Sequence, residues 1–264
     1  MLSNQRFGNV TDIPDDPFAS PDEDPGSSPT TEALHAALGP APGAAICDVG
    51  CGAGHMALSF AGQRPSRLVG VDPAPGALKT FAARAAERAL PVETVEARAE
   101  ELPLDEAAFD LVVSRFAGHR FRDAAGAVAE MTRLLRPGGR LAVVDLEGHE
   151  EPLVDAFNHA LAVLHDPGHQ RSCTLAEWIG FFQRAGLNVP VARGSLAESR
   201  EGVPVGRWCE RASCGAEAEA AIRQRLAEAP RHHLEALGIR RAGDEFLMPL
   251  RACLVVGVKP LTGC

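Results

Sequence analysis

The chain has 264 residues, 45% of them hydrophobic and 23% charged, which fits one α/β domain with or without an insertion at about 150 residues per domain. Its formal charge of −9 comes without a basic block, and this disfavours nucleic acid as a partner, because a phosphate backbone needs a cationic surface. The apolar runs are far shorter than the roughly 20 residues of a membrane span, and the acid-rich start is unlike a signal peptide, so we expect a cytoplasmic protein without a membrane span.

The first residues predict an arm, and the regular fold begins after it. Residues 1–29 contain five prolines and six acidic residues with little periodicity, which is typical of a flexible acidic arm. Thr30 and Thr31 are expected to cap a short helix that ends at Leu38. From residue 44 onward, strands alternate with helices, which predicts βαβ units and a parallel sheet. The predicted strands cover 44–49, 67–72, 92–97, 109–114 and 139–146, and the predicted helices cover 54–62, 75–90 and 123–136.

After the fifth strand the pattern becomes mainly helical. Helices are predicted over 150–165, 174–186, 204–213 and 216–237, and strands over 188–194 and 246–258. This arrangement predicts three regions after the arm. They are a core over 30–149, a helical cap for the substrate over 150–237, and a closing segment over 238–264.

A metal site is not predicted. The seven cysteines form no CxxC pair, which is the spacing most typical of zinc ligands. His165 and His169 have the spacing of a metal-binding pair, but Pro167 and Gly168 between them prevent a regular helix. We therefore interpret these histidines as part of a turn that shapes the cap.

The glycine-rich loop after the first predicted strand is the strongest local signal. Gly50, Gly52 and Gly54 let the backbone turn sharply and approach a ligand closely. The loop lacks the Gly-Lys-Ser/Thr ending of ATP and GTP sites. Asp48 before it suits a cationic amine better than a pyrophosphate, which disfavours a nicotinamide-dependent oxidoreductase. Asp72 ends the second strand about 20 residues further on, where an acid can bind both hydroxyls of a ribose.

Five segments follow one another in an order that a known enzyme family shares. They are Asp48 to Gly54 (DVGCGAG), Gly70 to Pro73 (GVDP), Ala99 to Leu104 (AEELPL), Phe109 to Val113 (FDLVV) and Leu134 to Gly139 (LLRPGG). With them the chain resembles class I S-adenosylmethionine-dependent methyltransferases, in particular the ubiquinone/menaquinone-biosynthesis type, over about 44–258. The resemblance implies a Rossmann-like α/β fold. It would have a seven-stranded, mostly parallel sheet with one antiparallel strand, helices on both faces and a helical cap insertion.

The resemblance also implies S-adenosylmethionine as the cofactor and assigns residues to it. The methionine portion falls to Asp48, Gly50, Cys51, Gly52, Gly54 and Ser114, and the adenosine portion to Asp72, Pro73, Ala99 and Glu100. This chain departs from many relatives at Arg98, where they have an aspartate. Recognition of the adenine must then rest on the amide of Ala99 and on Glu100.

Two histidines are candidates for catalysis. His119 follows the fourth strand, at the edge where the methyl group is expected, and histidine is the natural general base near neutral pH. Relatives commonly have paired histidines there, whereas this chain has Arg120 after His119. His169 lies in the predicted cap, where it would face the pocket. A role for His119 in orienting the acceptor rather than removing its proton stays open.

The expected function is methyl transfer from S-adenosylmethionine to a small-molecule acceptor. The alternative is a cyclase or isomerase of the same fold that binds the cofactor without using its methyl group, because fold does not fix chemistry. Accumulation of S-adenosylhomocysteine together with product would distinguish the two. A nucleic-acid base methyltransferase is not expected, because no Asn/Asp-Pro-Pro-aromatic tetrapeptide follows the fourth strand. The acceptor atom and the oligomeric state are left open.

Overall fold

Ten strands and nine α-helices lie within residues 28–39, 41–199 and 201–261, which the computed structural model describes. The strands are β1 (Ala45–Val49), β2 (Arg67–Asp72), β3 (Glu93–Glu96), β4 (Phe109–Arg115), β5 (Leu135–Leu146), β6 (Asn188–Ala197), β7 (Val203–Pro204), β8 (Arg240–Ala242), β9 (Glu245–Met248) and β10 (Arg251–Val258). The helices are α1 (Pro29–Leu38), α2 (His55–Ser59), α3 (Pro75–Glu87), α4 (Ala124–Leu134), α5 (Pro152–His165), α6 (Leu175–Arg184), α7 (Val205–Ala212), α8 (Ala216–Glu228) and α9 (Arg231–Leu237).

Seven strands form the main sheet in the order β3-β2-β1-β4-β5-β10-β6. The strands from β3 to β5 pair in parallel, and β10 runs antiparallel to both β5 and β6. The predicted seven-stranded, mostly parallel sheet with one antiparallel strand is confirmed. Because β1, β2 and β4 are parallel neighbours, their carboxyl ends meet at one edge of the sheet, where open α/β sheets bind ligands.

Helices cover both faces of this sheet. On one face Phe60, which directly follows α2, and Phe81 of α3 belong to a buried apolar cluster. On the other face α4 and α6 contribute Met131 and Trp178 to a second cluster. Both faces are therefore buried, which explains why the central strands are almost continuously apolar.

The cap region contributes helices and also one strand of the core. Helices α5, α7, α8 and α9 pack on one another and on a small sheet with the order β7-β9-β8. Strand β6 falls inside the range 150–237 but pairs with β10 in the main sheet. The division into core, cap and closing segment stays a prediction, and the cap range supplies the edge strand of the core.

Three predicted elements differ from the observed ones, two of them at a proline and one at a serine. The predicted helix over 216–237 is wrong as a single element, because Pro230 separates α8 from α9. The predicted strand over 246–258 is also wrong, because Pro249 lies between β9 and β10, which belong to different sheets. Ser28, not Thr30 or Thr31, caps α1, and its Oγ accepts a hydrogen bond from the Thr31 amide at 3.2 Å.

Other boundaries shift by a few residues. The fifth strand begins at Leu135, earlier than predicted, because a bulge between the pairs Phe109–Leu135 and Leu111–Arg140 absorbs the Pro-Gly-Gly segment. The predicted arm lies outside the described residues apart from Ser28 and Pro29. Among the described helices, none combines the length and the apolar character that crossing a bilayer requires.

Candidate active site

The loop after β1 contains three glycines, and the surroundings of a larger side chain would differ among the three positions. Their φ angles are 73° at Gly50, 51° at Gly52 and 83° at Gly54. A Cβ atom on Gly50 would overlap the Cβ of Ala117, and one on Gly54 would overlap the ring of Phe81. A Cβ atom on Gly52 would meet nothing within 4 Å. Packing therefore requires two of the glycines, whereas Gly52 borders open space that a ligand can fill.

Asp72 ends β2 with its carboxylate against this loop. Its Oδ2 accepts a hydrogen bond from the Gly52 amide at 2.9 Å, and its Oδ1 accepts one from the Ala74 amide at 2.9 Å. Burial raises the pKa of Asp72, and the two hydrogen bonds and the charge of Arg120 offset only part of that effect. The half-buried carboxylate keeps lone pairs for further donors, such as hydroxyl groups.

Asp48 and Cys51 are buried on the core side of the loop. Asp48 is 1% exposed, and its Oδ2 accepts a hydrogen bond from the Ala57 amide in α2 at 2.9 Å. Asp48 therefore ties the first turn of α2 to the loop. Cys51 is buried, and burial raises the pKa of its thiol well above the usual range. A Cβ atom on the neighbouring Gly70 would come within 2.8 Å of this sulfur.

Three more predicted cofactor residues lie along the same edge. Ala99 is buried, and the Glu100 Oε1 accepts hydrogen bonds from two amides that precede α4, at 2.7 and 3.2 Å. Ser114 near the end of β4 is fully buried, and its Oγ has no hydrogen-bond partner among the described residues. Such an orphaned hydroxyl calls for a ligand or an ordered water.

His119 forms a buried pair with Asp145 at the carboxyl end of β5. Its Nδ1 lies 2.7 Å from the Asp145 Oδ1, and its backbone amide donates to Oδ2 at 2.9 Å. The two side chains are 3% and 1% exposed. Because a carboxylate accepts hydrogen bonds, Nδ1 carries a proton, and in the neutral ring this leaves Nε2 as an acceptor. In this arrangement a carboxylate orients a histidine as a general base.

The backbone before His119 makes this contact possible. A Cβ atom on Gly118 would overlap the Asp145 Oδ2 and lie 2.7 Å from the ring of Trp178. Phe116 has a φ of 51°, a conformation that a bulky residue adopts only where the surroundings impose it. The chain after β4 is therefore bent so that His119 reaches Asp145.

The turn that follows α5 brings a second carboxylate to His119. The Asp166 Oδ2 lies 3.9 Å from the His119 Nε2 and accepts a hydrogen bond from the Arg120 Nε at 2.8 Å. The backbone carbonyl of His119 accepts a hydrogen bond from the Gln170 amide at 2.8 Å, which ties the turn to the loop. Burial acts to raise the pKa of Asp166, but the charge and hydrogen bond of Arg120 outweigh it and lower the pKa.

Two further histidines are buried nearby, His165 at the end of α5 and His169 in the turn that follows it. The ring of His169 stacks on His119 with the ring centroids 5.3 Å apart. The ring of His165 stacks on Trp208 at 3.9 Å, and its Nε2 donates to the Trp208 carbonyl oxygen at 3.1 Å. Burial lowers the pKa of both histidines to about 4. Both are therefore uncharged near neutral pH.

One cavity of about 960 Å³ connects the cofactor side of the site with the cap. Pro73 and Arg98 line it on the cofactor side, and His119, Asp166 and His169 line it further along. Its apolar wall consists of Trp208, Leu237, Ile239, Met248 and Leu250. The volume lies within the range of about 300–1,000 Å³ that is usual for small-molecule sites.

The residue-level reading of the sequence missed Asp145 and Asp166. Asp145 was detectable, because it ends a strand at the same sheet edge as Asp72, where the same reasoning applies. Asp166 was not, because a turn sequence does not reveal which loop it contacts. The described residues contain no group of three or more histidines, cysteines and acids placed to hold a metal ion.

Comparison with known proteins finds methyltransferases that are similar to this chain in sequence and in structure. Residues 47–143 match the family model described as a methyltransferase domain. The Bacillus subtilis protein named uncharacterized methyltransferase YcgJ is 30% identical over 217 residues, which are 81% of this chain and 84% of that protein. The crystal structure of YcgJ matches with a TM-score of 0.77 and 28% identity, covering 88% of this chain and 98% of that one.

Two relatives with more specific names match over shorter lengths. Demethylmenaquinone methyltransferase of Thermus thermophilus is 39% identical over 38% of this chain and 46% of its own length. The tRNA U34 carboxymethyltransferase of Hahella chejuensis is 34% identical over 41% of this chain and 34% of its own length. Each match covers less than half of the relative, so neither carries its acceptor over to this chain.

Proposed function

Because the chain belongs to the S-adenosylmethionine-dependent methyltransferases, we propose that it methylates a small-molecule acceptor bound beneath the cap. The observation that supports this most directly is a cavity of about 960 Å³, which Pro73 lines on the cofactor side and His119 lines on the acceptor side. An acceptor in this cavity would lie between the cofactor edge of the sheet and a histidine oriented as a base.

S-adenosylmethionine is the cofactor, and it supplies an electrophilic methyl group when bound. The open space beside Gly52 and the orphaned hydroxyl of Ser114 fit such a ligand. We assign the methionine portion to Asp48, Gly50, Cys51, Gly52, Gly54 and Ser114, and the adenosine portion to Asp72, Pro73, Ala99 and Glu100. Within this set we assign Asp48 and Cys51 to the support of the loop rather than to direct contact, because both are buried beneath it.

In this proposal His119 accepts the proton of the acceptor at Nε2. Asp145 keeps Nδ1 protonated and holds the ring in place, so that Nε2 stays an acceptor. His169 has a pKa of about 4, which makes it a poor base near neutral pH. We therefore assign His169 the positioning of the His119 ring. The enclosure of the acceptor in the cavity supplies the proximity on which methyl transfer depends.

The test compares His119→Ala with Asp72→Ala in an assay of S-adenosylhomocysteine formation with phenol, amine and 1,3-dicarbonyl acceptors. We expect His119→Ala to lower turnover by about 10²–10⁴-fold and to keep its affinity for S-adenosylmethionine in calorimetry. Asp72→Ala should instead weaken that affinity by about 1.5–3 kcal/mol, because hydrogen bonds to a charged group are lost. His232→Ala changes an exposed histidine of α9 and serves as the control.

Two outcomes would contradict this function. Product formation without an equal amount of S-adenosylhomocysteine would favour the cyclase or isomerase alternative. Methylation of tRNA, with none of the small acceptors used, would point to a nucleic-acid substrate. The exclusion of nucleic acid and the cytoplasmic location stay predictions from the sequence.

A further inference from the structure

The Asp166 carboxylate takes no part in the proton transfer assigned above, although it faces the reactive nitrogen of His119. Its Oδ2 lies 3.9 Å from the His119 Nε2, which is too long for a direct hydrogen bond. Arg120 donates to Oδ2 at 2.8 Å, and the Gly168 amide donates to Oδ1 at 2.9 Å. The carboxylate is therefore held at a fixed distance from the base.

Both atoms that border this gap accept hydrogen bonds. In the neutral His119 ring the proton lies on Nδ1, which donates to Asp145, and Nε2 is left as an acceptor. Asp166 is ionised near neutral pH, since its pKa lies below the ordinary value despite its burial, and an ionised carboxylate only accepts. One hydroxyl group has a single proton and can satisfy only one of the two. A single amine nitrogen can donate to both, whereas a hydroxyl acceptor that satisfies both must carry a second hydroxyl group on a neighbouring atom.

The apolar wall of the cavity favours an apolar molecule. It consists of Trp208, Leu237, Ile239, Met248 and Leu250. The ring of Trp208 is backed by the parallel ring of His165, with an angle of 9° between the planes. A flat or alicyclic carbon skeleton can pack on this wall while its polar end points toward His119.

We infer that the acceptor is a vicinal diol on an apolar skeleton and that Asp166 is the residue that selects it. The inference rests on the proposed function. One hydroxyl donates to the His119 Nε2 and is methylated, and its neighbour donates to the Asp166 Oδ2 and is not.

The transfer step balances without a further reactant. The O–H bond of the first hydroxyl breaks as its proton passes to Nε2, and the oxygen forms a bond to the methyl carbon. The bond between that carbon and sulfur breaks, and its electron pair stays on sulfur. Protonated His119 then releases the proton to solvent. During this cycle the two carboxylates at Nδ1 and Nε2 stabilise the imidazolium ring, while Arg120 holds one of them.

The test uses catechol with phenol, and cis-1,2-cyclohexanediol with cyclohexanol, as matched acceptors. For wild type and Asp166→Asn, kcat/KM is measured from methylated product, and acceptor affinity is measured by calorimetry on protein loaded with S-adenosylhomocysteine. We expect wild type to prefer each diol by about 10- to 100-fold, which is the worth of one hydrogen bond to a charged acceptor. Asp166→Asn should lose this preference. Glu150→Gln, at another carboxylate of the cavity wall, should keep it.

Several results would overturn the inference. Methylation of phenol, cyclohexanol or aniline as fast as the diols would do so and would leave the proposed function standing. Loaded protein that neither binds nor methylates the diols would also overturn it. The wild-type ratios decide the question if Asp166→Asn does not fold. Failure of the wild-type protein to bind S-adenosylmethionine would instead contradict the proposed function.

Discussion

Gly52 and Gly54 are two residues apart in one loop, yet different parts of the molecule require them. The position of a side chain on Gly54 is taken by the ring of Phe81, which belongs to the core. The position of a side chain on Gly52 is open. A glycine motif in a sequence therefore combines a packing requirement with a binding requirement, and only the neighbours of each residue separate the two.

Substitution of these two glycines should produce opposite defects. Gly54→Ala should lower the free energy of unfolding by about 2–4 kcal/mol, because the methyl group overlaps Phe81 and the φ angle is positive. Gly52→Val should lose measurable binding of S-adenosylmethionine, because its side chain fills the open space. Urea unfolding and calorimetry on each variant measure the two effects.

A control separates strain from occupied space at Gly52. Asn tolerates the left-handed backbone region better than other side chains, so Gly52→Asn should fold nearly as stably as the wild type and still bind the cofactor poorly. Wild-type affinity in Gly52→Asn would show that the space beside this residue is not part of the cofactor site.

At the scale of elements, the end of α5 and the turn after it contain two buried histidines whose pKa values are about 4. The ordinary value in an unfolded chain is about 6.5. Between these values the unfolded chain binds more protons than the folded protein does, so the free energy of unfolding falls as the pH falls. This part of the stability is complete above pH 6.5 and is lost on acidification toward pH 4.

We therefore expect acidification from about pH 6.5 to 4.5 to lower the free energy of unfolding by up to about 1.4 kcal/mol per pH unit for each of these histidines. His165→Gln and His169→Gln should each flatten this dependence, while the exposed His232→Gln should not. Urea unfolding at a series of pH values measures the slopes. Equal slopes in all four proteins would show that the two histidines titrate normally in the folded state.

The elements differ in how far the sequence predicts them. Strands and helices from β1 to β5 follow from alternating apolar runs and from glycine and proline signals, and their order predicts the parallel sheet. In the small sheet, β7 and β8 were missed and β9 was merged with β10, because strands of two to four residues carry no period to detect. The meeting of Asp48, Asp72 and the glycine loop at one edge of the sheet was predictable, since each lies at the carboxyl end of a parallel strand. The pairing of His119 with Asp145 and Asp166 was not, because it depends on contacts between distant segments.

At the scale of the molecule, a buried ion pair joins segments that are far apart in the chain. Arg115 at the end of β4 donates to the Glu198 Oε1 at 2.8 Å, and the side chains are only 5% and 3% exposed. Arg115 also donates to the Ser28 Oγ at 3.1 Å, and the Glu198 Oε2 accepts from the Thr30 amide at 3.3 Å. The start of α1 is thus fixed to two strands of the sheet.

Removal of one partner of this ion pair should destabilise the folded protein. Glu198→Ala should lower the free energy of unfolding by about 3–5 kcal/mol, because the buried Arg115 guanidinium would lose the Glu198 carboxylate with which it pairs. The double variant Arg115→Leu/Glu198→Leu should recover much of that loss. Glu235→Ala, which breaks the exposed pair with Arg231, should cost at most about 0.5 kcal/mol. If urea unfolding shows that Glu198→Ala loses no more free energy of unfolding than Glu235→Ala, the ion pair does not anchor α1.

The antiparallel pairing of β5 with β10 places Asp145 opposite Cys253, so the carboxylate that orients His119 borders a strand made late in translation. The glycine loop and Asp72 emerge from the ribosome much earlier, and chains begin to fold from their N-terminal parts during synthesis. We therefore expect a nascent chain to form the glycine loop and the strand that carries Asp72 before the strand that borders Asp145 exists.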